Sequence, residues 1–554
     1  MKKKMIEKTI LRPALVLSQA ALLLGSACGT AQAAEDDYFR VSGYVRTWLA
    51  MNLQNNTDQT SPLPGVSANA PLGGKNELMM ARGSLQLAAD FKTGPVTWRA
   101  VARADREKVT AYMKDLQARA CNSATVAGSP TGPGCNVRDQ YNQAELRELY
   151  GDFKLGERVS VRLGKQQVVF GETDFFHPND LLHGFDNRWR AFGEPESDEL
   201  RKPLIMANVK IAVPEANGSL QVVVRPGWDR HQDIGNTYDI FGGRWSSSPN
   251  MGNDYLAYAT AFDYKHPDGD VKSVTGAVRW TGVTQVVNYS LGYQRVFQPD
   301  FSLNPCGAFA APSQRNASGC VSNLSYGKTP GNKAYGDWFY PIIDVAGFSV
   351  SGESTAIDSV LNFEMAYQKG RVFNTNSDVS GIANSAGYFQ IPNNGGVMGK
   401  PVKKDVIQTT LRADKQLRLQ NLIGTNGPSF SSVQIFDTWL KDFNRNDDIL
   451  AAVGSAARQP KHATIGTAFI QLPYMNSRLV YGIAVGREFQ ARNSFLIPSV
   501  AYNLGNNWRF SLDAVLIHSP DARTSNIDQP GNDSSGFAAF NHHNYATFRA
   551  TYQF

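Results

Sequence analysis

Arginine recurs at positions of this sequence that are predicted to face water. Apolar and polar residues alternate over segments of about ten residues, and the polar side of these segments carries thirteen basic and seven acidic residues. The basic residues are Arg40, Arg46, Arg82, Arg99, Arg103, Arg162, Lys210, Arg225, Arg279, Arg412, Arg418, Arg509 and Arg549. The acidic residues are Asp90, Asp105, Glu148, Asp152, Glu364, Asp414 and Asp513. Arginine keeps its charge at any relevant pH and binds carboxylates through a planar fork, so the excess predicts a surface for anionic or carboxylate-bearing molecules.

Some of these arginines are predicted to share one wall of a pore. The first three and the last two predicted strands become neighbours if their sheet closes. Six arginines on them are candidate solute-binding residues, namely Arg46, Arg82, Arg99, Arg103, Arg509 and Arg549. Rings of one charge sign select ions in pores. Alternatively, opposite charges pair across neighbouring strands and leave the wall neutral. The sequence leaves both open, because one β-bulge inverts the two faces of a strand.

An aromatic-rich loop, Glu172–Pro203, is the second candidate site. Its predicted solute-binding residues are Phe175, Phe176, Trp189 and Arg190. So many aromatic side chains in a water-exposed loop call for burial. The loop either folds into the barrel as a constriction or plug, or it caps the outer rim.

The chain offers little for catalysis. It contains no Gly-x-Ser-x-Gly motif of the kind that holds a serine nucleophile. Three of its eight histidines, His518, His542 and His543, are predicted to lie at the outer rim, where histidines are usually solvated. We therefore predict no catalytic residue, no metal ligand and no cofactor. An enzyme acting on lipid esters, and a surface adhesin or structural barrel, remain the alternative functions.

Four cysteines outside the N-terminal leader form two local pairs. Cys121 and Cys135 are fourteen positions apart, and so are Cys306 and Cys320. Three connectivities are formally possible. Pairing within each loop is the simplest in an oxidising compartment, so the sequence predicts one disulfide in each of two loops.

The alternation that places these residues predicts about eighteen membrane-spanning strands. Short turns alternate with long loops, as in outer-membrane barrels, and both ends of the chain fall on the periplasmic side. Predicted spans include Leu78–Phe91 (with Met79 facing outward), Arg158–Gly171 and Asp405–Leu419. Tyr255–Tyr264 also alternates, but it is assigned to an outer hairpin. The predicted fold is a transmembrane antiparallel β-barrel covering residues 34–554.

Both ends of the sequence are consistent with a barrel in the outer membrane. Residues 1–33 have the basic start, apolar stretch and Ala31-Gln32-Ala33 site of a signal peptide. The final strand alternates aromatic and polar residues and ends on Phe554, which is typical of barrels inserted into the outer membrane by the barrel-assembly machinery. Outer-membrane lipids are then expected partners. The leader contributes +4 to the net charge of +6, so the remaining chain gives no reason to expect nucleic acid.

Three motifs resemble a known family. Residues 162–176 read RLGKQQVVFGETDFF and are followed by Pro178-Asn179-Asp180, Lys202-Pro203-Leu204 leads into a strand, and residues 340–350 read YPIIDVAGFSV. Together these resemble the Gram-negative outer-membrane family catalogued as domain of unknown function 1302, although Lys165 stands where an arginine is expected. The resemblance implies secretion, a porin-like barrel and no agreed activity, although members of the family are often associated with the handling of hydrophobic compounds such as steroids. The expected function is an outer-membrane channel for small anionic or amphipathic solutes, including steroid-like and other hydrophobic acids.

Overall fold

The computed structural model describes most of the chain after residue 37. The described residues are 38–55, 74–115, 117, 141–171, 173, 176–187, 197–237, 269–304, 337–377, 397–447, 449, 459–518 and 544–554. Several predictions fall outside these residues: the signal peptide, both cysteine pairs, the Tyr255–Tyr264 hairpin, Phe175, Trp189, Arg190, His542 and His543.

Twenty strands are present among the described residues. They are β1 (Phe39–Asn52), β2 (Leu78–Thr93), β3 (Val96–Glu107), β4 (Gln143–Leu155), β5 (Val159–Gln166), β6 (Leu204–Val213), β7 (Gly218–Arg225), β8 (Thr275–Val283), β9 (Val287–Phe297), β10 (Ser302–Asn304), β11 (Asp337–Phe339), β12 (Ile342–Ser354), β13 (Ser359–Ser377), β14 (Val397–Leu417), β15 (Ser429–Leu440), β16 (His462–Tyr474), β17 (Leu479–Glu488), β18 (Ser494–Leu504), β19 (Trp508–His518) and β20 (Tyr545–Gln553). Short helical stretches lie between strands, among them residues 111–115, Ser197–Leu200 and Gln420–Ile423.

Eighteen of these strands close into one antiparallel barrel. Each strand pairs with its sequence neighbours, β9 pairs with β12, and β1 pairs with both β2 and β20. The predicted barrel and its strand number are therefore confirmed. The hairpin of β10 and β11 is a separate two-stranded sheet that was not predicted.

The two faces of each strand differ as alternation requires. On β1, Val41 and Val45 are each 44 % exposed on the outside, whereas Arg46 and Trp48 are buried on the inside. Near the chain ends, the ring of Trp508 packs against that of Tyr552, 5.1 Å away between centroids. Exposed apolar side chains with an aromatic girdle are the outer surface expected of a barrel in lipid.

The prediction of which side of the barrel wall Met79 faces is wrong. Met79 was assigned to the outside but is only 3 % exposed, and Leu78 is exposed instead. The cause is a register shift between Ala50 and Met51 in the β1–β2 ladder, since an extra residue there reverses the side on which the next residues lie.

Strand ends also differ from the prediction where loops interact. β5 ends at Gln166 rather than Gly171, because Val168 and Phe170 bond to an inserted loop instead of a neighbouring strand. β14 begins at Val397, before the predicted Asp405, and pairs with an equally extended β13.

Two apolar clusters lie inside the barrel, where the sequence predicted a wet interior. The Trp48 cluster comprises Trp48, Ala50, Met79, Met80, Tyr112, Met113, Tyr141, Leu200, Phe495, Ile497, Val515, Ile517 and Tyr545. The Phe170 cluster comprises Val168, Phe170, Leu181, Leu182, Leu204, Met206, Val223, Ile234, Val271, Ala277, Val296, Tyr340, Ile343, Val345 and Ala366. Both join wall residues to residues from loops, so the loops supply the apolar partners that keep water away from these parts of the wall.

Candidate functional site

The segment between β5 and β6, residues 167–203, contacts the inner side of the barrel wall at several strands. Arg279 on β8 donates from Nη1 to the carbonyl of Phe170 at 3.2 Å. Gln294 on β9 donates from Nε2 to the carbonyl of Asn179 at 2.6 Å. These bonds hold the first part of the segment against one side of the wall.

The same segment also contacts two other parts of the wall. The ring of Phe176 lies 4.8 Å from that of Phe436 on β15, and Gln167 donates to the carboxylate of Glu148 on β4 at 2.8 Å. β4 and β15 are nine positions apart in the eighteen-strand order, so they stand on opposite sides. The described part of the segment therefore extends across the interior.

Buried charges fix the segment to itself and to the loop that follows β7. Arg201 donates from Nη2 to the carboxylate of Asp180 at 2.6 Å, and both side chains are almost fully buried. Lys202 donates from Nζ to the carbonyls of Gln232 and Ile234 and to the hydroxyl of Thr237. Buried charges that are paired and hydrogen-bonded favour one arrangement, since removing either partner leaves an uncompensated charge.

His183 is a neutral link within this segment. Its Nε2 accepts the backbone N–H of Val168 at 2.9 Å, so its Nδ1 carries the proton and donates to the carbonyl of Lys202 at 2.9 Å. The pKa of His183 is lowered from 6.5 to about 4, chiefly because the ring is buried; Asp180 opposes this shift and the nearby Arg201 adds to it. The imidazole thus joins the start and the end of the segment only in its uncharged form.

Three predicted arginines are buried in ion pairs. Arg46 lies 2.7 Å from Glu199, and Arg82 lies 3.3 Å from Glu107. Arg103 lies 3.1 Å from Asp105 and also contacts Glu145 at 3.2 Å.

The sequence predicts two of these acidic partners to different degrees. Glu107 continues the alternation of Arg103 and Asp105 on β3, so the period-two pattern contains the signal. Glu145 and Arg147, in contrast, turn inward together because of a register shift between β3 and β4 at Val101 and Ala102, which alternation does not reveal.

The other three predicted arginines are more accessible or lie beside aromatic rings. Arg99 has a side chain 39 % exposed, 2.9 Å from Asp90. Arg509 is exposed at the start of β19. Arg549 is buried, donates to the hydroxyl of Ser511 at 3.3 Å and stands 5.4 Å from the ring centroid of Trp48.

Guanidinium groups meet the Trp48 cluster directly. Arg82 stands 5.7 Å from the ring centroid of Trp48 and 5.5 Å from that of Tyr141, and Arg549 approaches Trp48 as well. Such cation–π contacts combine a fixed positive charge with apolar surface. In this buried part of the wall, positive charge and apolar surface therefore lie side by side.

A second basic region lies on β5, β6 and β8. Lys210 is exposed and has no carboxylate within ion-pair distance among the described residues. Arg162 and Arg279 are near enough to repel its charge, and Asp152 is near enough to attract it. Arg162 itself is held by Asp152 through two bonds of 2.7 and 2.8 Å. Lys210 is therefore a sequence-predicted inner residue that the structure leaves exposed among other cations.

Two further properties concern only the described part of the chain. It contains no cluster of histidine, cysteine, aspartate and glutamate suited to a metal ion. Its helices are also too short or too polar to cross a bilayer.

A closed barrel with an apolar exterior and a loop across its interior is of the membrane-spanning, porin-like class. The chain belongs to the family described as "Protein of unknown function (DUF1302)", whose family model matches residues 14–554. The resemblance found in the sequence is thereby confirmed. No curated protein matches the chain.

Several solved barrels are similar to this chain in outline. Acinetobacter baumannii OccAB1 has 9 % identity and a TM-score of 0.42, with 94 % of this chain and 96 % of that one covered. Pseudomonas aeruginosa OccK2 (OpdF), solved in complex with glucuronate, has 8 % identity and a TM-score of 0.42, covering 94 % and 98 %. Salmonella typhi OmpF, in complex with daunomycin, has 7 % identity and a TM-score of 0.37, covering 93 % and 97 %.

Proposed function

We propose that this protein is an outer-membrane channel that passes small amphipathic anions, such as steroid-like or other hydrophobic carboxylic acids. The observation that carries the proposal is the contact between inner guanidinium groups and an inner apolar surface, seen where Arg82 and Arg549 approach Trp48. A carboxylate is bound well by a guanidinium, and a hydrophobic body is stabilised against the Trp48 cluster.

The pairing of the arginines narrows the choice of solute. Because Arg46, Arg82 and Arg103 each contact a carboxylate, a small hydrophilic anion gains little from them. A solute that also buries apolar surface gains about 25 cal/mol for each Å² removed from water. This favours amphipathic acids over inorganic anions as the preferred solutes.

The inserted segment supports a selective rather than an open pore. Its described residues contact β4, β8, β9 and β15, so we propose that it forms the constriction. Phe176 on this segment packs against the Trp48 cluster and would face the apolar part of a passing solute.

The surface supports an outer-membrane location. Val41, Val45 and similar side chains are exposed on the outer face, and Tyr552 and Phe554 stack at the end of the chain. We propose outer-membrane lipids as the neighbours of this face. We also propose that the terminal strand is recognised by the barrel-assembly machinery.

Uptake by liposomes tests the function. Liposomes containing the purified protein should take up a steroid carboxylate faster than protein-free liposomes do. They should also take it up faster than they take up acetate. Arg549→Gln should slow this uptake, while Phe548→Leu, a change to a neighbouring outward residue that is 40 % exposed, should not. Equal uptake with and without protein would contradict the proposal. Hydrolysis of a lipid ester without uptake would favour an enzyme, and cell binding without uptake would favour an adhesin.

A further inference from the structure

A proline interrupts the wall between β18 and β19. The backbone N–H of Asn503 on β18 donates to the carbonyl of Arg478, on the β17 side. The backbone N–H of Ile517 on β19 donates to the side-chain oxygen of Asn544, on the β20 side. Because donors alternate along a strand, the nitrogen of Pro498 and the carbonyl of Ala514 face each other across the β18–β19 ladder.

The ladder is interrupted at this point. Paired residues run from Ser494↔His518 to Leu496↔Leu516 and resume only at Ser499↔Asp513. Proline has no N–H to donate and is otherwise found at sheet edges and bulges. In the hydrocarbon region no water replaces the missing donor, so this seam is weaker than a complete ladder.

The inner side of the seam is apolar. Phe495 and Ile497 of β18, together with Val515 and Ile517 of β19, are buried members of the Trp48 cluster. The cluster that approaches Arg82 and Arg549 therefore continues up to the interrupted ladder.

A cavity of about 420 Å³ lies at the end of the seam remote from the chain termini. It is lined by inward residues (Phe495 and Ile517) and by outward residues (Leu496 and Leu516). Residues of both faces of the wall thus border one space. On the outside, the seam carries only the small side chains of Pro498 and Ala514 between those leucines and the next pair.

We propose that the β18–β19 seam is a lateral portal through which the hydrophobic part of a solute passes between the barrel interior and the outer leaflet of the membrane. The portal rests on the proposed function, because it needs an amphipathic solute inside the barrel. An apolar molecule that leaves sideways avoids water at the outer mouth. Small hydrophilic ions do not use the seam.

Restoring the missing donor tests the portal. Pro498→Val supplies an N–H to Ala514 and should slow liposome uptake of the steroid carboxylate about fivefold, the factor that one net hydrogen bond gives, without changing KCl conductance. Pro473→Val is the matched control. Pro473 lies in β16 near its turn, and its carbonyl accepts the backbone N–H of Asn426, away from the β18–β19 seam. Uptake should therefore be unchanged.

A reversible cross-link provides the second variant. Ile497→Cys with Val515→Cys places two thiols at facing positions that do not exchange hydrogen bonds, where Cα atoms are close enough for a disulfide. Oxidation should stop uptake of the steroid carboxylate, and dithiothreitol should restore it. The control is Tyr481→Cys with Val500→Cys across the β17–β18 ladder. Peptide mass spectrometry confirms each bond, and heat-dependent gel mobility confirms that each variant is folded.

The outcomes separate the portal from the channel. Uptake that is unchanged in both Pro498→Val and the oxidised Ile497–Val515 variant overturns the portal while leaving the channel intact. Absence of conductance and uptake in the unsubstituted protein overturns both. Loss of KCl conductance together with uptake on oxidation also overturns the portal, because the cross-link would then act on the main pore.

Discussion

Arg46 on the first strand and Glu199 on the segment that crosses the interior form a buried ion pair, with 2.7 Å between Nη1 and Oε2. The carbonyl of Glu199 also accepts a bond from Arg103 at 3.1 Å. Two wall arginines thus hold one residue of the segment. Arg46, which the sequence predicts to bind solute, therefore has a carboxylate partner within the protein.

Breaking this pair should widen the pore. In Glu199→Gln the charge of Arg46 stays buried without its partner, a loss that costs about 3–5 kcal/mol for buried pairs. We expect larger and noisier single-channel conductance in planar bilayers. Asp198→Asn removes a neighbouring but exposed carboxylate and should leave conductance unchanged. Identical traces for Glu199→Gln and the unsubstituted protein would show that the pair does not hold the segment.

Acid should release the same segment through His183. Its pKa is lowered from 6.5 to about 4 in the folded protein, so an unfolded or undocked state binds more protons between these values. The stabilisation is complete above pH 6.5 and falls by about 1.4 kcal/mol per pH unit on acidification towards pH 4.

Conductance measured from pH 7.5 to pH 4 checks this effect. It should increase as the pH falls below 6.5, and His183→Asn should reduce the pH dependence. His518→Asn, at an exposed position on β19, is the control and should retain it. A flat profile in the unsubstituted protein would rule out this role for His183.

Lys210 should contribute to anion preference. It is exposed near Arg162 and Arg279, with Asp152 also close enough to attract it, so Lys210→Gln removes a positive charge that no described carboxylate contacts at ion-pair distance. The reversal potential under a KCl gradient should shift towards the equilibrium potential of potassium. Lys272→Gln changes an exposed lysine in the loop before β8 and should have no effect. A shift of equal size in both variants would mean that overall charge, rather than the position of Lys210, sets selectivity.

The two predicted disulfides should be dispensable for the barrel. Cys121–Cys135 and Cys306–Cys320 lie outside the described residues, and each would stabilise its loop by about 3 kcal/mol in the chain-entropy model. Peptide mass spectrometry should find both local pairs. After reduction, the heat-dependent gel shift of the barrel should persist. Peptides joining Cys121 to Cys306 or Cys320 would show that local pairing is wrong.

The sequence predicted the wall better than its contents. Alternation on β1 separates Val45 from Arg46 by local chain geometry alone, and the same rule found all eighteen strands. It failed at Met79, where a bulge reverses the faces. It also missed Glu199, whose partner Arg46 is far away in sequence. No local periodicity reports which inserted residue meets which wall residue, so the ion pairs and the apolar clusters needed the structure.

Electrical recording with a steroid carboxylate most directly tests whether the interior conducts amphipathic anions. In planar bilayers under a KCl gradient, the purified protein should open in discrete steps with a reversal potential that favours chloride. Addition of the steroid carboxylate should cause brief interruptions of current, and its uncharged methyl ester should cause fewer. A silent bilayer, or a cation-selective current that the acid does not affect, would contradict this account.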